Sequence, residues 1–174
     1  FRRVLFRSRF KGTEAALVFA SGYHANLGAI TALVGKGDSI FSDELNHASV
    51  IDGARLSHAT IHIYRHKDVG HLDHLLKSSS STGRRLIITE SIFSMDGDIA
   101  PLTEICALAR KSDAWVMVDE AHGTGVAGNR GAGIVEAMGL SGQVDIQMGT
   151  FSKALASLGG YVAGSRELIQ FLLN

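Results

Sequence analysis

A single lysine, Lys153, lies between hydroxyl residues and a glycine-rich run in the segment MGTFSKALASLGGYVAG, residues 148–164. Lysine is the side chain that forms imines with carbonyl compounds, and burial shifts its charge state readily. Because Lys153 follows an apolar stretch typical of a β-strand, it would stand where a strand enters a turn of small residues. The residue alone leaves two interpretations, a solvated loop charge or a nucleophile held at a strand end.

An acid and a histidine follow a second apolar run, in VMVDEAHGTG. A carboxylate directly after a buried strand is costly unless a cation or several donors pair with it. Asp119 could therefore cap a helix or join a structural ion pair, or it could face a protonated ligand nitrogen, and His122 could face the same ligand. The string DEAH also occurs in helicases, but the chain has no GxxxxGK[ST] phosphate loop, so nucleotide hydrolysis is disfavoured.

Two further strand-to-helix junctions carry residues suited to ligand binding. In ASGYHAN, Ser21, Gly22 and Tyr23 open a predicted helix, whose first N–H groups and dipole could hold a phosphate, although a plain turn explains the same residues. In ELNHAS, His47 could cap a helix, pack in the core or lie flat against an aromatic ligand. Each junction by itself is a weak indication.

Together these groups are the set that pyridoxal 5'-phosphate (PLP) requires. The cofactor needs a lysine that forms an imine with its aldehyde and an acid at its pyridinium nitrogen. The acid keeps that nitrogen protonated, so that the ring can accept the electrons of a carbanion. With a phosphate-binding turn and a histidine able to stack, we expect PLP, and Lys153 to hold its aldehyde.

Four other histidines raise the alternative of a metal-dependent hydrolase. His62 and His66 flank a strand end, and His71 and His74 lie on the next predicted helix. Zinc needs ligands that converge in a tetrahedron from fixed elements. Because the chain has a single cysteine and no HExxH motif, we expect no metal site.

The elements that must position these residues alternate along the chain. Short apolar runs alternate with segments of helical periodicity, which is the pattern of βα units around a mainly parallel sheet. We predict six or seven strands with helices on both faces and no internal domain boundary. The predicted strands are 15–20, 39–43, 60–66, 84–91, 114–121, 144–151 and 160–164, and the predicted helices are 24–34, 47–57, 69–79, 101–113 and 165–174.

In such sheets, ligands bind in the crevice beyond the carboxyl ends of the strands. Polar residues follow five predicted strands directly: Ser21 to Tyr23, Asp43 to His47, Glu90 to Ser94, Asp119 to His122 and Thr150 to Lys153. This convergence is a stronger indication of a site than any single motif.

Composition narrows the class of protein. The 174 residues suit one domain, and 17 basic residues balance 17 acidic ones, so no net field favours nucleic acid or an anionic membrane. No apolar run is long enough to cross a bilayer. The single Cys106 excludes an internal disulfide and fits a reducing, cytoplasmic compartment.

The two ends indicate a part of a longer chain. The first ten residues, FRRVLFRSRF, hold four arginines and no cleavage site. We assign residues 1–9 to a scar or a residual N-terminal segment, and residues 10–174 to one cofactor-binding domain of an incomplete parent chain.

Five ordered motifs resemble the α-oxoamine synthases, fold-type-I PLP enzymes that join an amino acid to an acyl-CoA with loss of carbon dioxide. The motifs are SGYHANLGAI, FSDELNHASVIDGARLS, ITESIFSMDGDIAPL, VDEAHGTGVAG and GTFSKALASLGGYVAG. The resemblance implies the large domain of that α/β fold, without its C-terminal domain. It also implies an amino acid and an acyl-CoA or acyl-carrier-protein substrate, and a homodimer in the full-length protein.

The resemblance implies a role for each position. Lys153 would form the imine and act as acid and base, Asp119 would pair with the pyridine nitrogen, and His122 would contact the phenolic oxygen of the ring. His47 would stack on the ring and meet the substrate. The other implied cofactor contacts are Ser21, Gly22, Tyr23, Glu90, Ser94, Thr150 and Ser152.

Family members make 8-amino-7-oxononanoate, 2-amino-3-ketobutyrate, 5-aminolevulinate or 3-ketosphinganine. The strings SGYHAN, DEAHGTG and GDIAPL favour the first product, made from L-alanine and a pimeloyl thioester in biotin biosynthesis. The other three products remain alternatives, as does a catalytically inert fragment that keeps the fold for binding.

Overall fold

The computed structural model describes residues 8–174, which form a seven-stranded sheet in the order β1-β7-β6-β5-β4-β2-β3. The strands are β1 (Ala15–Phe19), β2 (Ser39–Asp43), β3 (Thr60–Tyr64), β4 (Arg85–Glu90), β5 (Trp115–Asp119), β6 (Ile146–Thr150) and β7 (Gly160–Gly164). The helices are α1 (Gly22–Leu33), α2 (Ala48–Leu56), α3 (Val69–Ser78), α4 (Leu102–Lys111), α5 (Ile134–Ala137) and α6 (Arg166–Leu173). Within this part of the chain, no helix has both the length and the apolar character to span a membrane.

Six strands run in one direction and β7 runs against them. The pairs among β2, β3, β4, β5 and β6 are parallel, whereas β7 is antiparallel to both β6 and β1. The carboxyl ends of β1 to β6 therefore share one edge of the sheet with the amino end of β7. We call this edge the carboxyl edge, and the predicted mainly parallel α/β fold is confirmed.

Helices cover both faces of the sheet because its central strands are apolar on both sides. Ile87 of β4 packs with residues of α3, α4 and α5, whereas its neighbours Leu86 and Ile88 pack with α1, α2 and α6. Adjacent strand residues point to opposite faces, so a continuous apolar run feeds two cores at once.

The helices begin where the sequence offers a cap. Ser21 precedes α1 and its Oγ accepts the His24 N–H, and Asp68 and Ser165 cap α3 and α6 in the same way. Pro101 stands directly before α4, as predicted. The Ser21 cap places the start of α1 at the carboxyl edge, immediately after β1.

The observed elements differ from the prediction mainly at their ends. β3 stops at Tyr64 rather than at residue 66, because the chain turns there: the Asp68 N–H donates to the Arg65 carbonyl, and Lys67 has a φ of 57°. The short helix α5 was not predicted, since four residues are too few to show a periodicity. Most of the assigned scar, residues 1–7, lies outside the described residues, and that assignment stays a prediction.

Candidate active site

The predicted polar residues lie along the carboxyl edge at the ends of adjacent strands. Asp119 ends β5 and Glu90 ends β4, and these two residues are paired in register. Thr150 ends β6, and Gly160 at the start of β7 is paired with it on one side and with Phe19 of β1 on the other. The fold thus brings the segments after β1, β4, β5 and β6 to one edge of the sheet.

Asp119 is buried at 4% exposure near the centre of this edge. Its Oδ2 accepts a hydrogen bond from Asn26 Nδ2 at 2.9 Å and its Oδ1 accepts one from the Ala121 N–H at 2.9 Å. Burial raises the pKa of the Asp119 carboxyl, while the hydrogen bonds from Asn26 and from the Ala121 N–H act in the opposite direction. A buried carboxyl with neutral donors is suited to pairing with a cationic ligand group.

His47 precedes α2 and caps it through its ring. Its Nδ1 accepts the Ser49 N–H at 3.1 Å, and its own backbone N–H donates to Glu90 Oε1 at 2.6 Å. Despite these hydrogen bonds, His47 is exposed to solvent. The cap therefore presents the imidazole ring at the carboxyl edge, next to the end of β4.

Glu90 is a buried carboxyl that anchors two segments of the edge. It accepts the backbone N–H groups of His47 and Ser94, whose side chain is exposed. Burial, reinforced by the negative charge of Asp119, raises the pKa of Glu90 to about 7. Glu90 thus acts on the site through the backbone that it holds.

His122 and Lys153 approach the same region from the segments after β5 and β6. Burial lowers the pKa of the half-buried His122, and the positive charge of Lys153 lowers it further, against the effect of Asp119. Lys153 is exposed in a turn that is closed by the Phe151 N–H to the Gly159 carbonyl at 2.9 Å. The charge of Lys153, which follows β6, therefore acts on His122, which follows β5.

The start of α1 meets the ends of β6 and β7 very closely. A Cβ at Gly22 would lie 3.3 Å from Thr150 Cβ, and one at Gly160 would lie 2.6 Å from the Ser21 carbonyl oxygen and 2.7 Å from the Gly22 nitrogen. Thr150 Oγ1 donates to the Gly159 carbonyl at 3.0 Å and contacts Ser152 Oγ at 2.8 Å. A helix N-terminus and two hydroxyls thus meet in one place, which is an arrangement that binds anions.

Tyr23 differs from its neighbours in this turn. Its hydroxyl donates to Asp52 Oδ2 of α2 at 2.8 Å, and this hydrogen bond raises the pKa of Tyr23. The phenol therefore links α1 to α2. Only the backbone of Tyr23 remains for the group of N–H donors at the start of α1.

Three of the four histidines of the metal alternative have separate partners. His62 stacks on Phe41 at 4.8 Å, and His71 Nδ1 accepts the Arg65 N–H. His66 lies between two acids, with Nδ1 3.0 Å from Asp43 Oδ1 and Nε2 3.0 Å from Asp98 Oδ2. His66, Asp96 and Asp98 form a group with ligand atoms within 4.8 Å, but Lys67 already neutralises Asp98 at 2.7 Å. These contacts favour ion pairing of His66 over metal ligation.

The sequence alone indicated no role for three buried polar residues that organise the candidate site. Asn26 holds Asp119, Asn46 donates to the Ile88 carbonyl and accepts the Glu90 N–H, and Ser49 contacts the His47 ring. The available signal was a polar residue on an apolar helix face, since Asn26 stands beside buried Ala25 and one turn before Ile30. Such residues are buried only where they find partners.

Comparison with known proteins gives a consistent result. A family model described as aminotransferase class I and II matches residues 6–174. A curated 8-amino-7-oxononanoate synthase of Citrifermentans bemidjiense is 56% identical over 165 residues, which are 95% of this chain and 42% of that protein. The 8-amino-7-oxononanoate synthase of Geobacter metallireducens is 55% identical over 96% of this chain and 43% of that protein.

Solved structures agree with the curated relatives. A structure of SPT with a PLP internal aldimine has a TM-score of 0.91 and 41% identity, covering 99% of this chain and 44% of that one. The chain thus spans less than half the length of the proteins that it matches.

Proposed function

The chain belongs to the class I and II aminotransferase family, and we propose that it is the PLP-binding part of an enzyme that condenses L-alanine with a pimeloyl thioester. The product would be 8-amino-7-oxononanoate, with release of carbon dioxide. The observation that carries this proposal is the meeting of Lys153, Asp119, His122 and His47 at one edge of the sheet, beside a helix N-terminus. The curated relatives named above support the choice of product.

The residues present fit PLP on three grounds. Asp119 is a buried carboxyl whose hydrogen-bond donors are neutral, which suits a protonated ring nitrogen. The start of α1, with Thr150 and Ser152, provides donors for a phosphate. Lys153 provides the amine for an aldehyde. When bound, PLP supplies an electron sink for the carbanion formed at the amino-acid α-carbon.

Each of these side chains then has a physical role. Asp119 keeps a positive charge on the ring nitrogen, because its buried carboxylate is stabilised by a cationic partner. His47 provides a flat ring that can stack, and the donors at its Nδ1 hold that ring in place. Lys153 accepts and returns a proton at its Nζ. His122 lies close enough that the charge of Lys153 lowers the pKa of His122.

The further assignments follow the same proposal. Ser21, Gly22, Tyr23, Thr150 and Ser152 would bind the phosphate, the first three through their backbone or cap. Ser94 would lie near the ring oxygen with His122, and Glu90 would hold the backbone of both His47 and Ser94. The full-length enzyme would be a cytoplasmic homodimer that takes an acyl-CoA or acyl-carrier-protein substrate.

An absorbance experiment with added PLP tests the cofactor assignment. We expect the purified protein to develop an imine band that survives dialysis, and borohydride to attach the cofactor covalently to Lys153. Lys153→Ala should lose the band and lower turnover by roughly 100-fold or more, because an acid–base group is removed. Lys36→Ala, which removes an exposed amine between α1 and β2, should retain both. A band that persists in Lys153→Ala would contradict the proposal.

The substrate assignment needs a second assay. Alanine, glycine and serine are each combined with pimeloyl-, acetyl-, succinyl- and palmitoyl-CoA, and product formation is followed by mass spectrometry. Alanine with pimeloyl-CoA should be the preferred pair. Preference for another pair would replace the proposed product with that of another α-oxoamine synthase.

A further inference from the structure

A chain of hydrogen bonds connects Asp119 to His47 through two buried side chains. Asn26 Nδ2 lies 2.9 Å from Asp119 Oδ2 and also 2.9 Å from Ser49 Oγ. Ser49 Oγ in turn lies 2.8 Å from His47 Nδ1. Asn26 is 0% exposed and Ser49 is 1% exposed, so water does not compete for these bonds. The hydrogen bonds run from β5 through α1 to α2 and join Asp119, the proposed partner of the ring nitrogen, to His47, which is proposed to stack on the ring.

The donor and acceptor inventory fixes the direction of this chain. The amide nitrogen of Asn26 can only donate, and its two hydrogens serve Asp119 and Ser49. The opposite orientation of the amide would point its oxygen at the Asp119 carboxylate, where two acceptors would face each other. Ser49 Oγ is therefore an acceptor towards Asn26, and its one hydrogen remains for His47 Nδ1.

The His47 ring receives a second donor at the same atom. The Ser49 backbone N–H lies 3.1 Å from His47 Nδ1. With an O–H and an N–H both directed at Nδ1, that nitrogen has no place for a hydrogen of its own. The hydrogen of the neutral ring therefore belongs on Nε2.

We propose that Asn26 and Ser49 are positioning residues that fix His47 as the Nε2–H tautomer and hold its ring at the angle the site requires. The proposal rests on the proposed function for the identity of the ring on which His47 stacks. The tautomer leaves Nε2–H as a donor that can bind a carboxylate or carbonyl of the substrate. Support of this kind, through a second hydrogen bond to a reactive imidazole, sets both tautomer and orientation.

The composition of α1 is consistent with this role. Among the described residues, Asn26 Oδ1 is buried without a hydrogen-bond partner, which is an unfavourable position for an amide oxygen. An apolar side chain would avoid this cost on a face that also buries Ala25, Ala29 and Ile30. The two bonds donated by Nδ2 are what an asparagine provides here and a leucine does not.

The direct test is ¹⁵N NMR of the His47 imidazole in the purified protein without cofactor, with the signals assigned through His47→Ala. We expect Nδ1 to show the shift of a hydrogen-free nitrogen and Nε2 that of an N–H. Ser49→Ala removes one of the two donors at Nδ1 and should move the tautomer ratio roughly 3- to 10-fold towards Nδ1–H. Asn26→Leu should move the ratio in the same direction by less. In this variant the Ser49 hydroxyl is still present and loses only the hydrogen bond from Asn26 that orients it.

Ser57→Ala is the matched control, since it removes a buried hydroxyl at the other end of α2. It should leave the His47 signals as in the wild type. Wild-type His47 signals in Ser49→Ala, or an Nδ1–H in the wild type, would overturn the inference.

Cofactor affinity provides a second readout that separates the inference from the proposed function. Ser49→Ala and Asn26→Leu should each weaken PLP binding by roughly 3- to 10-fold, and Ser57→Ala should not. Absence of PLP binding by the wild type would contradict the proposed function, while the NMR arm would still decide the tautomer. Full affinity in both variants, with PLP bound by the wild type, would contradict the positioning role.

Discussion

At the scale of single residues, Glu90 shows how the candidate site depends on a buried carboxyl that holds the backbone of two segments. The side chain is buried at the end of β4 and accepts the N–H groups of His47 and Ser94. Burial and the nearby Asp119 charge raise its pKa to about 7, from an ordinary value of 4.5. The folded protein therefore binds a proton at Glu90 more tightly than the unfolded chain does.

This difference makes the stability depend on pH. The contribution of protonated Glu90 to the free energy of unfolding is complete below pH 4.5 and is lost as the pH rises through about 7. Glu90→Gln keeps an acceptor oxygen but cannot ionise. Relative to the wild type, its free energy of unfolding should therefore increase by about 1–3 kcal/mol between pH 5 and pH 8.

Urea unfolding of the cofactor-free protein at both pH values measures this change. The exposed Glu104→Gln serves as the control, and its difference from the wild type should stay constant. An equally constant difference for Glu90→Gln would show that the carboxyl is ionised at both pH values.

At the scale of elements, the close approach of β7 to the start of α1 decides the shape of the turn that is proposed to bind the phosphate. Gly160 lies between β1 and β6 in the sheet, and its missing side chain lets the Ser21 carbonyl and the Gly22 nitrogen approach. A side chain there would push the helix start away from Thr150. The glycine at position 160 is thus a packing requirement at the first residue of β7.

Gly160→Ala tests this requirement. The added Cβ would meet backbone atoms at 2.6 and 2.7 Å, which cannot move without displacing α1. We expect a loss of about 1–3 kcal/mol in the free energy of unfolding and a weaker affinity for PLP. Gly35→Ala is the control, because its Cβ would meet its nearest neighbour at an ordinary 3.7 Å. Equal stability and PLP affinity in the two variants would argue against the packing role of Gly160.

At the scale of the whole molecule, a buried acid joins segments from distant parts of the chain. Glu120 is 0% exposed, and its carboxylate accepts the Ser91 hydroxyl at 2.9 Å and the N–H groups of Ile134 and Val135. Lys11 Nζ lies 4.0 Å from it and donates to the Ala132 carbonyl. Burial lowers the pKa of Lys11, against the attraction of Glu120 and Glu136. One carboxylate thus ties Lys11 to the segments that follow β4 and β5.

Removing the charge of Glu120 should therefore affect the whole fold. Glu120→Gln leaves Lys11 buried without its acid, and we expect the free energy of unfolding to fall by about 3 kcal/mol. Lys77→Gln, which breaks the exposed pair with Asp73, should cost less than about 0.5 kcal/mol. Urea unfolding compares the two, and a loss for Glu120→Gln as small as that for Lys77→Gln would contradict the proposed tie.

Much of this architecture could be predicted because apolar runs and the polar residues that follow them are local patterns of the sequence. The strands 39–43 and 160–164 were predicted to the residue, and the resemblance to α-oxoamine synthases from five motifs is confirmed by the relatives. Continuous apolar runs such as LIIT indicate a strand covered on both faces, whatever the rest of the chain does. Polar residues directly after those runs indicate the edge at which a ligand can bind.

The sequence by itself determined the element types, their order and the residue types at each strand end, because these depend on neighbours within a few positions. Only the tertiary structure decided that β7 runs against its neighbours, that Asn26 donates to Asp119 across 93 residues, and that Glu120 meets Lys11. Contacts of this kind depend on which faces the packed elements turn towards each other. No local pattern encodes that geometry, so the partners of the buried polar groups become visible only in the folded chain.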